Sequence, residues 1–450
     1  MNKQSIDIAK RCVELALKSG ARQAEVFMEN GRNMDVTARD GEVENIKQAE
    51  SLGMGLRIFS GKRLGFGYTS DISANSLPNF VKSVMDMSKV TSEDEFNDLP
   101  PSEMLKSRAA TPETFDKNIT VLTPEWAVKT SVEMEKVCKA YDPRIKTVSN
   151  VGAGSYLSQV AIVNSLGLED FRQTTYVWAY AGPVATDKDG NSQVAYYWDE
   201  RCFASDMTAP EAIAKEAAKR AVDSLGSDKI PSGVMPVVFH PDMTKGFISG
   251  LVGAVNGDMV YKNASFLSDK LGAKIASDKI TIIDDPLKIR GVASGAFDGE
   301  GVPKRKLTIF DKGELKLFLY DAYTAAKASA RTTASAVRGY SSLPSIGVSN
   351  LLLESRDQSP EKIIGEVKYG LYVTRMMGRG VNTVTGDYSR GAKGFLIENG
   401  ELTKPVQEVT VAAHMNDMLM GIDAVGNDLD LRGSTNAPTI RFAELTVSGK

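Results

Sequence analysis

The sequence predicts an α+β protein. Its N-terminal half should hold two helix/antiparallel-strand/helix subdomains, followed by a C-terminal β-rich domain with a short opening helix. Three observations lead to this prediction. In the first half, amphipathic helical patterns twice flank runs of short strands. After residue 230, short apolar runs alternate with glycine turns. A chain of 450 residues is long enough for two or three domains.

The first subdomain is predicted over residues 1–91. A helix over 5–19 starts at Ser5, which can cap it, and stops at Gly20. A second helix is expected over 73–89. Between them lie strand signals with turns at Asn30-Gly31, Asp40-Gly41 and Ser60-Gly61, namely "AEVFMEN", "NMDVTA", "SLGMGLRIF" and "RLGFGYTS".

An acidic, proline-bearing stretch over 92–123 is predicted to be an irregular connection. The same order of elements then recurs in a second subdomain, 124–226, with helices over 124–140 and 209–225. Its strands are expected at 145–151, 156–164, 171–182 and 193–203. The recurrence indicates related subdomains, although chance remains an alternative because antiparallel α+β units are common.

The β-rich domain is predicted over 230–450. It opens with the strand "VMPVVFH" and a helix over 242–257. Further helices are expected at 321–328, 360–365 and 415–422, and the remaining segments alternate strands with turns.

Composition limits the functional classes. A content of 42% hydrophobic and 25% charged residues is typical of globular proteins. The net charge of −3 gives no basic field, so neither direct nucleic-acid binding nor binding to an anionic membrane is expected. No run of 18 uncharged apolar residues occurs, and Cys12, Cys138 and Cys202 stand far apart. These features favour reduced thiols and a cytoplasmic protein.

The opening helix of the C-terminal domain is unusually rich in glycine. Gly246, Gly250 and Gly253 lie inside "TKGFISGLVGAVNGDMV", and each costs about 1 kcal/mol against alanine in a helix interior. The other side of the helix is apolar, which is the pattern of a packed helix. The glycines therefore indicate the close approach of another backbone.

Two loops combine glycine with polar residues. Asp298 and Glu300 lie in "ASGAFDGEGVPKRK", where a turn solvated by carboxylates is the simplest interpretation. The loop "GRGVNTVTGDYSRGAKGF" suits a binding surface or lid, although hairpin turns explain it almost as well; it carries Arg379, Asn382, Asp387 and Arg390. For His240 and His414, hydrogen-bonded structural histidines are favoured over metal ligands.

The stretches "SGAFDGEGVP", "GVNTVTGDYSRGAKGFLIENGEL", "PVQEVTVAAHMNDML" and "AELTVSG" resemble the TldD/PmbA family, often labelled modulators of DNA gyrase. The resemblance covers most of 230–450, in order. The TldD type is a zinc metallopeptidase with His-Glu-x-x-x-His on the helix after a "VV" strand and a cysteine near the C-terminus. The corresponding positions here are Ile248, Ser249 and Gly253, and "DLRGSTNAP" has no cysteine.

The chain is therefore similar to the TldE/PmbA type. The resemblance implies a non-catalytic subunit that has no cofactor of its own and works with a zinc-bearing TldD-type homologue on short or unfolded peptides. A heteromer, a homodimer or both are expected. The candidate residues for a peptide-binding cavity are Asp298, Glu300, Arg379, Asn382, Asp387, Arg390 and His414.

Two alternatives remain open. One is a self-sufficient peptidase, in which His240, His414 and the Asp298/Glu300 loop would have to converge in space in a homodimer. The other is a protein-binding modulator of DNA gyrase.

Overall fold

The computed structural model of the chain describes residues 3–106, 109–378 and 380–450. It confirms the predicted α+β class. The first half contains a large antiparallel sheet with helices, and the second half is rich in short strands.

The elements of the first half recur in the predicted order of helix, strands and helix. They are α1 (Lys3–Lys18), β1 (Gln23–Arg39), β2 (Glu42–Ser60), β3 (Arg63–Thr69), α2 (Leu77–Val90), α3 (Pro124–Tyr141), β4 (Ile145–Asn164), β5 (Glu169–Thr186), β6 (Ser192–Val194), β7 (Tyr197–Arg201) and α4 (Pro210–Asp223).

These strands form one sheet that spans both predicted subdomains. Its order is β3-β2-β1-β4-β5-β6, and β7 also pairs with β5. Strands β1 and β4 join the two halves through an antiparallel ladder from Glu25 to Thr37. Helices α1 and α2 pack on one half and α3 and α4 on the other, all against the same face of the sheet. We call the opposite face of this sheet the open face.

Two predicted strand breaks are wrong. Strand β1 runs straight through Asn30-Gly31, and β4 is continuous where two strands were expected. The reason is cross-strand packing: the Tyr156 hydroxyl covers Gly31, and a Cβ there would lie 2.4 Å from that oxygen. Glycine is therefore needed for close approach inside the sheet and does not mark a turn.

The second half contains β8 (Gly233–Phe239), α5 (Pro241–Ala254), α6 (Gly257–Tyr261), β9 (Ile282–Asp284), β10 (Leu307–Asp311), β11 (Glu314–Leu315), α7 (Ala322–Lys327), β12 (Ala336–Val337), β13 (Ser345–Ile346), β14 (Leu351–Leu353), α8 (Pro360–Gly365), β15 (Tyr369–Met377), β16 (Asp387–Glu398), β17 (Glu401–His414), α9 (Met415–Met420), β18 (Ile422–Val425), β19 (Thr435–Asn436) and β20 (Ile440–Ser448). The predicted helix over 242–257 corresponds to α5, which ends at Ala254, three residues earlier than expected. A second short helix, α6, follows it and is capped by the Asn256 side chain.

Two sheets enclose the core of this half. The larger has the order β17-β16-β15-β8-β20-β18, and an additional pairing of β17 with β20 closes five of its strands into a ring. The smaller has the order β11-β10-β9-β14-β19. Helix α5 contributes Phe247, Ile248 and Leu251 to the core between them. The C-terminal half meets the open face where Phe297 packs with Phe27 and Ile162.

Candidate functional site

Helix α5 occupies the place where the family resemblance puts a metal-binding helix. It begins at Pro241, which suits the first helical turn because proline has no N–H to leave unpaired. His240 caps it: the imidazole Nδ1 accepts a hydrogen bond of 3.1 Å from the Asp242 backbone N–H.

The glycine side of α5 is covered by the loop between β15 and β16 and by the start of β16. A Cβ on Gly250 would lie 3.0 Å from Val381 Cγ2, and one on Gly253 would lie 2.9 Å from Thr383 Cγ2. Gly246 is more open, with Arg390 Nη1 at 3.9 Å from its ideal Cβ. The segment that approaches these glycines is therefore this loop, but its nearest atoms belong to side chains and not, as predicted, to backbone.

The side chains at the predicted metal-motif positions do not fit zinc. Ile248 is 2% exposed and lies in the apolar core. The Ser249 hydroxyl is 3.1 Å from the Thr435 hydroxyl, and Gly253 has no side chain. Zinc sites in proteins use imidazole, thiolate or carboxylate ligands. Within the described ranges, no three His, Cys, Asp or Glu side chains lie together in a way that could hold a metal ion.

His414 has the same structural role as His240. Its Nδ1 accepts from the Asn416 backbone N–H at 3.2 Å and caps α9, while its Nε2 donates to the Thr385 carbonyl at 2.8 Å. Both ring nitrogens are therefore engaged. For His240, burial lowers the pKa to about 4, so its imidazole is neutral at pH 7.

The predicted binding loop is a hydrogen-bonded hairpin turn. The Asn382 backbone N–H donates to the Asp387 carbonyl, and the Asn382 side chain accepts from Val384 N–H at 3.1 Å. The Asp387 carboxylate accepts from the Thr385 hydroxyl at 2.6 Å. Asn382 and Asp387 are exposed, Arg390 is half-buried, and Arg379 lies outside the described residues.

For Asp298 and Glu300, the interpretation as a solvated turn is wrong, since each is only 1% exposed. Asp298 accepts backbone hydrogen bonds from Glu300, Val302 and Ala336 at 2.9, 3.0 and 3.2 Å, which fixes the turn. Burial raises the pKa of both carboxyl groups. Sequence reasoning did not anticipate this burial, because the residues that cover the loop come from the first sheet.

Glu300 belongs to a buried ion cluster, named here the junction cluster, made of Glu25, Arg57, Glu300 and Arg338. Arg57 lies between two carboxylates, 3.0 Å from Glu25 and 3.1 Å from Glu300, and Arg338 is 2.6 Å from Glu25. Glu25 and Arg57 come from β1 and β2, whereas the other two come from C-terminal loops. The cluster therefore ties the open face to the second half of the chain.

The junction cluster was not predicted. The only sequence signal is a charged residue inside an apolar strand pattern, as Glu25 in "AEVF" and Arg57 in "LRIF". Such charges need partners when they are buried. Glu25 and Arg57 pair with each other across β1 and β2, but their further partners stand more than 200 positions away, as the 243-residue separation of Arg57 and Glu300 illustrates.

The structure brings the candidates together in two separate groups. Asp387 of β16 is paired with His414 of β17 beside Asn382, whereas Asp298 and Glu300 share the buried turn near Arg57. His240 belongs to neither group and caps a different helix from His414.

The helices in the described part of the chain are all too short or too polar to span a membrane. The three cysteines are buried and free.

Comparisons with known proteins find matches to one family along most of the chain. Three domains of one family match in order: PmbA/TldA metallopeptidase domain 1 at residues 24–88, the central domain at 117–225 and the C-terminal domain at 232–449. "Metalloprotease PmbA" of Escherichia coli O157:H7 is 30% identical over 97% of this chain and 94% of its own length.

Solved structures show the same fold. A crystal structure of a "putative modulator of DNA gyrase" from Bacteroides thetaiotaomicron superposes with a TM-score of 0.92 at 27% identity, with 100% of each chain covered. TldE from Thermococcus kodakarensis superposes with a TM-score of 0.90 at 22% identity, covering 98% of this chain and 100% of its own. The three matched domains and the 30% identical relative show that the chain belongs to the PmbA/TldD metallopeptidase family.

Proposed function

We propose that this chain is the non-catalytic subunit of a peptidase whose other subunit is a TldD-type zinc metallopeptidase. In this assignment it helps to admit and hold short or unfolded peptides in the cytoplasm, and the zinc belongs to the partner. The observation that carries the proposal is the composition of α5: an isoleucine, a serine and a glycine stand where the resemblance places two zinc ligands and a general base.

The surroundings of these three positions support the same assignment. Ile248 is part of a packed core, the Ser249 hydroxyl pairs with Thr435, and Thr383 covers Gly253. A catalytic metal needs an open coordination position for water or substrate. Here the helix side that carries Gly253 is filled by a loop.

A polypeptide chain could be held by backbone pairing at sheet edges and by the exposed polar groups of the loop between β15 and β16. Asn382 of the loop and Asp387 at the start of β16 are exposed, and Arg390 of β16 is half-buried. Extended peptides commonly bind in this way, with main-chain hydrogen bonds supplying affinity. Assembly with a TldD-type homologue, or with a second copy of this chain, would enclose such a peptide.

The alternative of a self-sufficient peptidase gains no support from the geometry. Both histidines cap helices, and Glu300 is paired with Arg57 at the junction between the two halves. A general base must reach its substrate, and these groups are engaged in separate parts of the fold.

The test is cleavage of an unstructured reporter peptide with added zinc. This chain, a TldD-type homologue from the same source, and their mixture are compared. The double variant His240→Asn/His414→Asn is then used in place of this chain, both alone and in the mixture. Asparagine still caps a helix, so the folds of α5 and α9 are kept, and the chain then contains no histidine, since it has 2 in all.

We expect cleavage in the mixture to exceed the sum of the separate samples, and the histidine-free variant to support it fully. Cleavage by this chain alone that disappears in the histidine-free variant would overturn the proposal. So would a mixture no more active than the homologue alone.

A further inference from the structure

The open face carries an aromatic cleft on β5 and β7, beside residues of the C-terminal half. Strands β5 and β7 pair so that Trp178 lies opposite Glu200 and Tyr180 opposite Trp198. Residues directly opposite each other in an antiparallel pair project from the same face. With Asn150 and Tyr196 they line a cleft of about 590 Å³. The name aromatic cleft is used for these six residues.

Glycines fix the rings in place. A Cβ on Gly154 would lie 2.4 Å from the Trp178 ring, one on Gly152 would lie 2.6 Å from Tyr180 Oη, and one on Gly182 would lie 2.4 Å from the Tyr196 ring. The rings therefore rest directly on bare backbone. Tyr196 and Trp198 stay 42% and 38% exposed, so part of the aromatic surface is accessible to a ligand.

Glu200 supplies a negative charge without a counter-ion. The neighbouring Asp199 is satisfied, with an ion pair to Arg201 at 2.9 Å and a hydrogen bond from the Thr208 hydroxyl at 2.7 Å. In the described part of the chain, no hydrogen bond or ion pair reaches the half-buried Glu200 carboxylate. Burial, together with Asp199, raises the pKa of Glu200, so a bound cation would favour its charged form.

Two rings of the cleft already lie against cations of the C-terminal half. The Arg375 guanidinium lies 5.5 Å from the centre of the Tyr196 ring. The Arg432 guanidinium lies 4.2 Å from the centre of the Tyr197 ring and 5.7 Å from that of Trp198, and it is paired with Asp430. A ring face together with a carboxylate is the arrangement that binds organic cations. Trp178 and Glu200 offer the same combination of ring and carboxylate, and among the described residues no lysine or arginine lies over the Trp178 ring.

We propose that the aromatic cleft binds a lysine or arginine side chain of an extended peptide, with the cation against Glu200 and its alkyl chain on Trp178, Tyr180 and Trp198. The assignment deepens the proposed function, on which it rests for the peptide nature of the ligand. The proposed peptidase subunit would then prefer peptides that contain lysine or arginine. The peptide can reach the cleft because it lies on the open face, opposite the side where α3 and α4 pack.

Tryptophan fluorescence reports on this site directly. The chain has 3 tryptophans, and Trp126 of α3 packs on the helix side of the sheet, so Trp126→Phe leaves only Trp178 and Trp198 as reporters. This variant is titrated with acetylated, amidated pentapeptides Gly-Gly-X-Gly-Gly, in which X is lysine, arginine, norleucine or glutamate. Norleucine matches the alkyl chain of lysine without its charge.

We expect a saturable fluorescence change with lysine and arginine, binding about tenfold weaker with norleucine, and none with glutamate. Glu200→Gln should weaken lysine binding about tenfold, whereas Glu50→Gln, which removes an exposed carboxylate of β2, should leave it unchanged. Added salt should weaken the binding of the lysine peptide.

Equal binding of norleucine and lysine, an unchanged affinity in Glu200→Gln, or no response to the lysine peptide would each overturn the proposal. The measurement uses this chain alone, so its outcome is independent of the cleavage assay with a TldD-type homologue. Synergistic cleavage without lysine binding would reject the cleft and keep the proposed function. Lysine binding without synergistic cleavage would reject the proposed function and keep the cleft.

Discussion

Gly253 of α5 lies directly beneath Thr383 of the loop between β15 and β16, where a Cβ would be 2.9 Å from the Thr383 γ-methyl carbon. This relationship explains a helix that contains three interior glycines. The missing side chain of glycine lets the loop pack against the helix, and this packing offsets the conformational cost of glycine in a helix.

Gly253→Ala should therefore destabilise the protein although alanine is the better helix former. Alanine gains about 1 kcal/mol in helix propensity, but displacing packed atoms typically costs about 1–3 kcal/mol. We expect a net loss of about 1 kcal/mol in the free energy of unfolding, measured by urea denaturation followed by circular dichroism.

Two matched variants separate propensity from packing. Gly246→Ala meets Arg390 Nη1 only at 3.9 Å, so it should stabilise the protein by up to about 1 kcal/mol. In a Thr383→Ser background the γ-methyl group is gone, and Gly253→Ala should become neutral or stabilising. The same loss in both backgrounds would show that the contact is not its cause.

Much of the fold could be predicted from periodicity alone. The four long helices of the first half lie close to their predicted places, and the turn at Asp40-Gly41 has both residues at positive φ, 54° and 81°. The continuity of β1 and β4 could not be predicted, because the glycines inside them are explained by aromatic rings on neighbouring strands. Local sequence cannot distinguish a glycine needed for close approach from one that turns the chain.

The candidate site was less accessible to sequence reasoning. The sequence around Asp298 and Glu300 is typical of a solvated turn, and only the structure shows that Arg57 lies beside Glu300. The aromatic cleft had a visible signal in the alternation of Tyr176, Trp178 and Tyr180, since alternate residues of a strand share one face. Its carboxylate, Glu200, becomes part of it only through pairing between strands.

The stability of the protein should depend on the neutral form of His240. Its folded pKa is lowered to about 4, so between pH 6.5 and 4 the unfolded chain binds a proton that the folded chain does not. Stability should therefore fall as the pH falls through this window. Since the side chain is 21% exposed, we expect a loss of about 1–2 kcal/mol, measured as urea midpoints at several pH values.

His240→Asn should flatten this dependence, because the amide still caps α5 but takes up no proton. His414→Asn is the matched control, since it also replaces a capping imidazole by a capping amide while His240 stays in place. An unchanged acid profile in His240→Asn would assign the loss of stability to other groups.

The three thiols should be unreactive in the folded protein. Cys12, Cys138 and Cys202 are buried, and burial raises the pKa of each to about 12, so the nucleophilic thiolate is scarce at pH 8. A chromogenic disulfide reagent should label none of them in native buffer and all three in guanidinium chloride. Fast labelling of one thiol in native buffer would contradict its placement in the core.

Arg57→Met should be among the most destabilising single substitutions. Arg57 lies between Glu25 and Glu300, so its loss leaves the buried Glu300 carboxylate without a counter-ion, while Glu25 keeps Arg338. Breaking such a buried pair costs about 3–5 kcal/mol. Removing an exposed cation by Lys219→Met, which only breaks a surface pair with Asp223, should cost less than about 0.5 kcal/mol.

The pairing itself is tested by a second change in the Arg57→Met background. Glu300→Gln should recover part of the lost stability there, because a neutral amide needs no counter-ion, whereas the same change in the wild-type chain should be destabilising. Arg57 lowers the pKa of Glu300, so in Arg57→Met this carboxyl should protonate at higher pH and the deficit should shrink as the pH falls. A deficit that is constant with pH and not reduced by Glu300→Gln would show that Arg57 stabilises the junction by packing and not by charge.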